Sequence, residues 1–473
     1  MQKECSAVPV FLSTLPVLAT IVALSLGARS LYAALLGVGC AAIAIMLAFP
    51  IPSDSMIPVV LRWTPILIEV LMIVGGGLLL AEVLREAGAQ AALAKWISGR
   101  AGQGVAAVLL VVHGITPFAE SLTGFGIGVT IGIPLLAHFG LPARKVVVIG
   151  LLGLCAVPWG SMGPGTLIAA TMSDLPFHDL GVASAVLSFV PFTATGIAAA
   201  WLASPPESRA SATLYGALSG TVLTVVVTAV NMAFGTPPAG ALGALAMIAM
   251  HLLSGWGKSK PPLESAGRRG LGSYAVLLGG VLAASAIIRL ASLPEGWRYL
   301  ASPALWLFIA TLWFARGQSP VQPLRRAWAS WLQVAPVTGL FIVLGILMAA
   351  SGMAAYLART LAGTGTAYLA AAPFVGAVGG FVTGSNSGAN AMFAATQAEI
   401  ARSLGVDVLW FMAVHNVAAA FLLMASPGKI EMAIELSPAG VANDRRWCQM
   451  IILLVALTVV AILAAINVIM GGR

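Results

Sequence analysis

The stretch PFAESLTGFGIGVTIGIPLL, residues 117–136, holds one carboxylate, Glu120, inside a long apolar run just ahead of a glycine-rich break. An ionisable side chain at such depth costs on the order of 3 kcal/mol and is by default a functional residue. Ionised, Glu120 would repel a carboxylate substrate; protonated, it would donate a hydrogen bond to one. That alternation would couple a proton to an anion, and it makes Glu120 the first candidate for proton coupling. The competing role is a structural acid held by hydroxyls such as Ser121 or Thr123. His113 precedes Glu120 by seven residues, two turns of a continuous helix. Its titration range suits a relay, which makes it the second candidate.

Neutral polar groups gather at the chain's breaks. Thr383, Gly384, Ser385, Asn386, Ser387 and Asn390 belong to TGSNSGAN, residues 383–390. Ser121, Thr123, Gly124, Gly126, Ser161 and Thr166 lie at or beside the breaks of the first half. These groups suit a small hydroxy-carboxylate, and their oxygens would also coordinate sodium. In the last break, ASPGK, Ser426 and Lys429 are candidate substrate contacts. Lys429 is a candidate to pair with Glu431, or with Glu120 across the site. Lys429 also keeps a dicarboxylate open as substrate. The cysteines at 5, 40, 155 and 448 are scattered without metal spacing, so neither a metal site nor a disulfide is expected. No cofactor is implied. The motifs of zinc peptidases, serine–lysine enzymes and phosphate-binding loops are not found, and an enzyme is not expected.

The elements that must position these residues follow from composition. Of 473 residues, 59% are hydrophobic and 8% charged, against about 25% charged in soluble domains. Apolar runs of spanning length recur about a dozen times. Sustained period-two alternation is missing, so a barrel is not expected. The reading is an all-α, multi-pass inner-membrane protein, since helices satisfy their own backbone in lipid. Residues 7–26 are read as a retained first helix, not a cleaved signal. The net charge of +8 is read as topology signal, not as nucleic-acid binding. Basic loops at 257–270 and 315–327 should face the cytoplasm, with residues 204–210, while 235–240 faces outward.

Two stretches match in order. In the first, LTGFGIG leads to Gly140 and then to PWGSMGPG, residues 158–165. In the second, VTGSNSGAN leads to Gly405 and then to ASPGK. The pattern predicts an internal duplication. Residues 1–203 form the first half, with breaks at 117–136 and 158–166. Residues 204–330 connect, and residues 331–473 form the second half, with breaks at 383–390 and 425–431. Paired interruptions of this kind point to the binding site of a secondary transporter. Helix N-termini there would suit an anion. An amphipathic stretch is expected from Asn390 to Leu404, and another at residues 85–100.

FAESLTGFGIGVTI and FVTGSNSGANAMFAATQ resemble the two signatures of the bacterial L-lactate permease family, and VPWGSMGPG and MASPGKIEMA its two later breaks. The resemblance extends more loosely over most of the chain. It implies lactate or glycolate symport with a proton. It also implies an inverted-repeat fold of about 12 spanning segments, with re-entrant hairpins, broken helices and a scaffold carrying a mobile transport domain. The same architecture admits a homodimer. Two features depart from the family pattern. Asn386 stands where an aspartate is frequent, and Ser426-Pro427-Gly428-Lys429 stands where the family reads Ser-Pro-Gln-Ser. Sodium coupling, another organic anion, or an uncoupled anion channel are the alternatives to a proton-driven monocarboxylate carrier.

Overall fold

A computed structural model describes residues 7–100, 104–124, 126–253, 262–317, 321–438 and 441–471. Lys3, Glu4, Cys5, Phe125, Lys258, Lys260 and residues 318–320 lie outside the described residues, and with them parts of both basic loops. The described residues are helical throughout, without a strand. Eleven helical segments among them are long and apolar enough to cross a membrane, and four shorter apolar helices accompany them.

Two helices open the chain, α1 (Ala7–Ser25) and α2 (Ser30–Leu47). A first series runs α3 (Ser53–Glu86), α4 (Ala89–Ser98), α5 (Val105–Leu109), a π-helical segment (Leu110–Ile115), α6 (Thr116–Thr123), α7 (Ile127–Ala137), α8 (Ala143–Leu152), a 3-10 segment (Gly153–Met162), α9 (Pro164–Met172), α10 (Phe177–Leu187) and α11 (Phe189–Ala203). Four helices follow: α12 (Arg209–Phe234), α13 (Thr236–Leu253), α14 (Ser265–Leu290) and α15 (Pro303–Phe314). A second series then runs α16 (Val321–Ala350), α17 (Met353–Ala362), α18 (Ala367–Thr383), α19 (Asn386–Leu404), α20 (Val408–Leu422), α21 (Pro427–Glu435) and α22 (Arg445–Gly471). Each series begins with a long helix and a short one, continues with a hairpin, and then reaches a broken helix.

The leading helices of the two series pack antiparallel. Arg326, near the start of α16, pairs with Glu82 and Glu86 near the end of α3. Further along, Trp331 Nε1 donates to the Leu71 carbonyl at 3.0 Å. Beyond that, Ile346 and Leu347 share a cleft with Val59 and Trp63. Three successive glycines of α3 admit three different neighbours. A methyl built on Gly75 would touch Trp331, one on Gly76 would touch Leu307, and one on Gly77 would lie 2.8 Å from the Thr123 carbonyl.

Polar contacts between helix ends separate two poles of the bundle. At one pole, Lys145 donates to Leu202 O, Arg144 pairs with Asp444, and the ends of α3 and α7 border one cavity. At the other, Arg62 pairs with Asp174, Arg402 donates to Ser173 O, and Arg289 donates to Ala233 O. The α5–α7 hairpin therefore leaves and re-enters the first pole, while the α18–α19 hairpin does so at the second. Their tips meet at mid-depth.

Several expectations change. The stretch to Leu404 is not amphipathic, because fourteen of the nineteen residues of α19 are buried. As the inner arm of a hairpin it is enclosed on nearly all sides. Arg268 and Arg269 are not loop residues but lie among the first five residues of a 26-residue helix, and Arg325 and Arg326 lie in α16. Most of the expected outward loop at 235–240 is the start of α13. A short amphipathic helix, α17, escaped notice in the sequence.

Candidate functional site

Four helices begin at one place. The α7 helix starts after Gly126, α9 after Gly163, α19 after Ser385 and α21 after Ser426. Local chemistry explains each start. Gly126 (φ 87°) and Gly163 (φ 88°) hold left-handed backbone that side chains disfavour. Pro164 and Pro427 sit in the first helical turn, where a missing N–H costs nothing. Ser385 Oγ accepts from Gly388 N at 3.2 Å as an N-cap. Ser161 (φ 53°) and Met162 (φ 65°) bear left-handed strain just before α9. Each helix start carries a partial positive charge and unsatisfied N–H groups.

These starts surround a cavity of about 330 Å³. It is lined by Glu120 and Gly124 of the first hairpin, Gly160, Ser161 and Gly165 of the first broken helix, Thr383 to Gly388 of the second hairpin, and Leu423 and Lys429 of the second broken helix. Ser30, Gln333, Thr338 and Phe341, from α2 and α16, close the remaining side.

Glu120 is 5% exposed and is held by backbone, not by hydroxyls. Gly126 N donates to both carboxylate oxygens at 3.0 Å, and Gly128 N donates to Oε2 at 3.2 Å. The carboxylate thus caps the helix that follows its own hairpin tip. Lys429 comes from the opposite broken helix and overhangs the same tip. A methyl built on Gly126 would lie 2.8 Å from Lys429 Nζ.

Behind the cavity lies a buried amide cluster. Asn416 Oδ1 accepts from Asn386 Nδ2 at 3.1 Å and from Asn390 Nδ2 at 2.9 Å. Asn416 Nδ2 donates to Thr166 Oγ1 and Ser184 Oγ, both at 3.1 Å. Asn390 Nδ2 also reaches Gly165 O at 3.1 Å. The cluster ties the second hairpin to the first broken helix.

The structure therefore gathers Glu120, Gly124, Ser161, Thr383, Gly384, Ser385, Asn386, Ser387 and Lys429 at the cavity. Gly126 lies against Lys429, and Ser426 Oγ would sit 3.3 Å from a methyl on Gly384. Thr166 and Asn390 stand one layer back, in the amide cluster. Ser121 turns toward Gly240 of α13. Thr123 bonds its own helix at Ala119 O, and only its carbonyl meets Ser161 Oγ, at 3.2 Å. His113 does not share the site. Its Nδ1 lies 2.8 Å from Ser219 Oγ and its Nε2 3.2 Å from Thr195 Oγ1, against α11 and α12. The π-helical segment around it bonds i to i+5 and turns less per residue, so a seven-residue spacing no longer returns to the same face. The expected Lys429–Glu431 pair is not formed, because Glu431 pairs with Arg445 of α22. Asn416, Gln333 and Thr338 were not among the expected site residues. A buried asparagine amid an apolar helix was the available signal for the first.

The sequence profile of the L-lactate permease family matches residues 299–470, which include the second hairpin, the second broken helix and the amides of α19 and α20. Over that stretch the chain is similar to the L-lactate permease family. Among characterised relatives, the L-lactate permease of Escherichia coli strain K12 is 37% identical over 95 residues, covering 20% of this chain and 17% of that protein. The L-lactate permease of Salmonella typhi is 35% identical over 95 residues, with the same coverage of each chain, 20% and 17%. The glycolate permease GlcA of E. coli K12 is 33% identical over 95 residues, again 20% of this chain and 17% of that one. The match thus spans 17% of the length of these relatives. The crystal structure of the YdaH transporter of Alcanivorax borkumensis aligns with 89% of this chain and 90% of its own, at TM-score 0.47 and 14% identity. The family match and the eleven candidate spans among the described residues indicate a multi-pass inner-membrane protein.

Proposed function

We propose that the protein is a secondary active transporter, not an enzyme, and that it carries a small monocarboxylate such as L-lactate or glycolate together with a proton. The observation that carries this reading is the meeting of two oppositely entering hairpin tips and two helix breaks around one cavity. A volume of about 330 Å³ equals roughly ten waters at ~30 Å³ each, enough for a three-carbon acid with some hydration. The helix starts favour a carboxylate, and Ser161, Ser385 and Ser387 can bond a neighbouring hydroxyl. The names of the relatives, L-lactate and glycolate permease, support the same substrate class.

Glu120 is the coupling group in this reading. Ionised, it accepts from Gly126 N and Gly128 N and closes the first hairpin tip. Protonated, it loses the charge that strengthens those bonds and gains a donor for the substrate. The parallel series and the antiparallel α3–α16 pair support an inverted duplication whose halves begin at Ser53 and Val321. In it, α3 and α16 belong to a scaffold and the hairpins to a mobile part. The arginine- and lysine-bearing pole with Arg85, Arg144 and Arg326 is the cytoplasmic one.

The test is uptake of labelled L-lactate into proteoliposomes under an inward proton gradient, a sodium gradient, or neither. Accumulation with the proton gradient alone is expected. Glu120→Gln should keep lactate exchange and lose accumulation. Accumulation by that variant would remove Glu120 from coupling, and sodium-driven uptake would replace the ion.

A further inference from the structure

Lys429 is the cation of the cavity wall, and among the described residues no acid forms an ion pair with it. Among the described residues no carboxylate lies within 4.0 Å of its Nζ, and its nearest acidic neighbours are engaged elsewhere. Glu431, two residues on, pairs with Arg445. Both oxygens of Glu120 are taken by Gly126 N and Gly128 N. The elements packed against α21 bring no substitute. On α8, Arg144 pairs with Asp444 and Lys145 donates to Leu202 O. At the end of α7, His138 bonds to Pro134 O. Of the residues lining the cavity, Glu120 and Lys429 are the two that carry formal charge.

We propose that Lys429 receives the substrate carboxylate and, with Glu120, keeps the site at zero net charge both empty and loaded. The inference rests on the proton-coupled monocarboxylate reading above. In the empty site the Glu120 carboxylate and the Lys429 ammonium cancel. In the loaded site the proton neutralises Glu120, and the ammonium cancels the substrate. Neither state then drags a net charge through the low-dielectric interior, where an uncompensated ion is costly. Were residue 429 neutral, both states would carry one negative charge. Net transport would be unchanged, but each reorientation would feel the membrane potential. The first turn of α21 is where such a cation is needed. It faces Gly126, a position with room for Nζ because it lacks a side chain.

The experiment compares wild type, Lys429→Gln and Lys429→Arg in proteoliposomes, each checked for a monodisperse, folded preparation. Two quantities are read: KM for L-lactate under a fixed proton gradient, and lactate–lactate exchange with and without a valinomycin-imposed potential. Exchange isolates movement of the loaded carrier. Wild-type exchange should ignore the potential. Lys429→Gln should raise KM about tenfold or more, the loss of one charge-assisted hydrogen bond, and its exchange should become potential-dependent. Lys429→Arg should restore both. Unchanged KM and potential-independent exchange in Lys429→Gln overturn the proposal. Should Lys429→Gln fail to fold, potential-dependent exchange in wild type or in Lys429→Arg overturns it. If wild type takes up no lactate under any gradient, the transport reading is what fails. Lys429 is then judged by tryptophan fluorescence titration with a carboxylate panel. A carboxylate bound equally by wild type and Lys429→Gln overturns its role.

Discussion

Replacing Asn416 by alanine should loosen the join between the two halves of the site. Asn416 is fully buried and makes four hydrogen bonds, two as acceptor and two as donor. Hydrogen bonds between membrane helices are worth about 0.6 kcal/mol each on average, so four amount to roughly 2.4 kcal/mol. Truncation also strands Asn386 Nδ2, which has no other partner among the described residues, at a further ~1 kcal/mol or more. Asn390 Nδ2 keeps Gly165 O and Asn386 Oδ1, and Thr166 Oγ1 keeps Pro158 O, but the buried Ser184 Oγ loses the one bond it makes among the described residues, at a further ~1 kcal/mol. The sum is about 4 to 5 kcal/mol. At about 2 °C per kcal/mol for a large domain, Tm should fall by roughly 8 to 10 °C. The assay is thermal unfolding of the purified protein in detergent, with Ser184→Ala as comparison. That change removes a single one of the four bonds and should cost about 0.6 kcal/mol. A Tm for Asn416→Ala no lower than that of Ser184→Ala would refute the view that the cluster holds the second hairpin to the first broken helix.

Three further outcomes are expected. A methyl on Gly196 would lie 2.1 Å from the Gly216 carbonyl, where α11 and α12 cross, whereas Gly279 has open space around it; Gly196→Ala should therefore cost about 1–3 kcal/mol in thermal unfolding and Gly279→Ala almost nothing. His113→Gln should keep proton-driven uptake, since His113 faces Thr195 and Ser219 and not the cavity; loss of accumulation with intact exchange would return it to the coupling path. Ser385→Ala removes the cap of α19 at the cavity and should lower stability by about 1 kcal/mol while raising KM for the transported acid.

The residues differ in how far the linear chain revealed them. Gly124, Gly126, Pro164, Gly384 and Pro427 are local determinants: a left-handed turn or a proline start is decided by the residue itself and its neighbours. The breaks were therefore legible. Glu120 was legible as an unusual carboxylate, but its partners were not, because they are backbone groups beyond the turn. Lys429 and Glu431 look like a pair in sequence and are not one, since Arg445 comes from α22. Residues 390–404 read as amphipathic because polar side chains alternate with small ones, yet Asn390, Thr396 and Gln397 are buried against other protein.

By itself, the sequence determined a multi-pass helical membrane protein, the position of its four interruptions and the polar groups placed at them. Composition and local turn chemistry suffice for that, because a bilayer demands internally satisfied backbone and tolerates few alternatives. Tertiary structure alone decided which interruptions meet, that the hairpins enter from opposite poles, that Gln333 and Thr338 close the cavity beside Glu120, and that Asn416 backs it through the amide cluster. It also decided that His113 stands apart, through a π-helical segment that shifts the face of the helix. Such facts depend on contacts between residues hundreds of positions apart, as between Thr166 and Asn416, and no local pattern encodes the angle at which two buried helices cross.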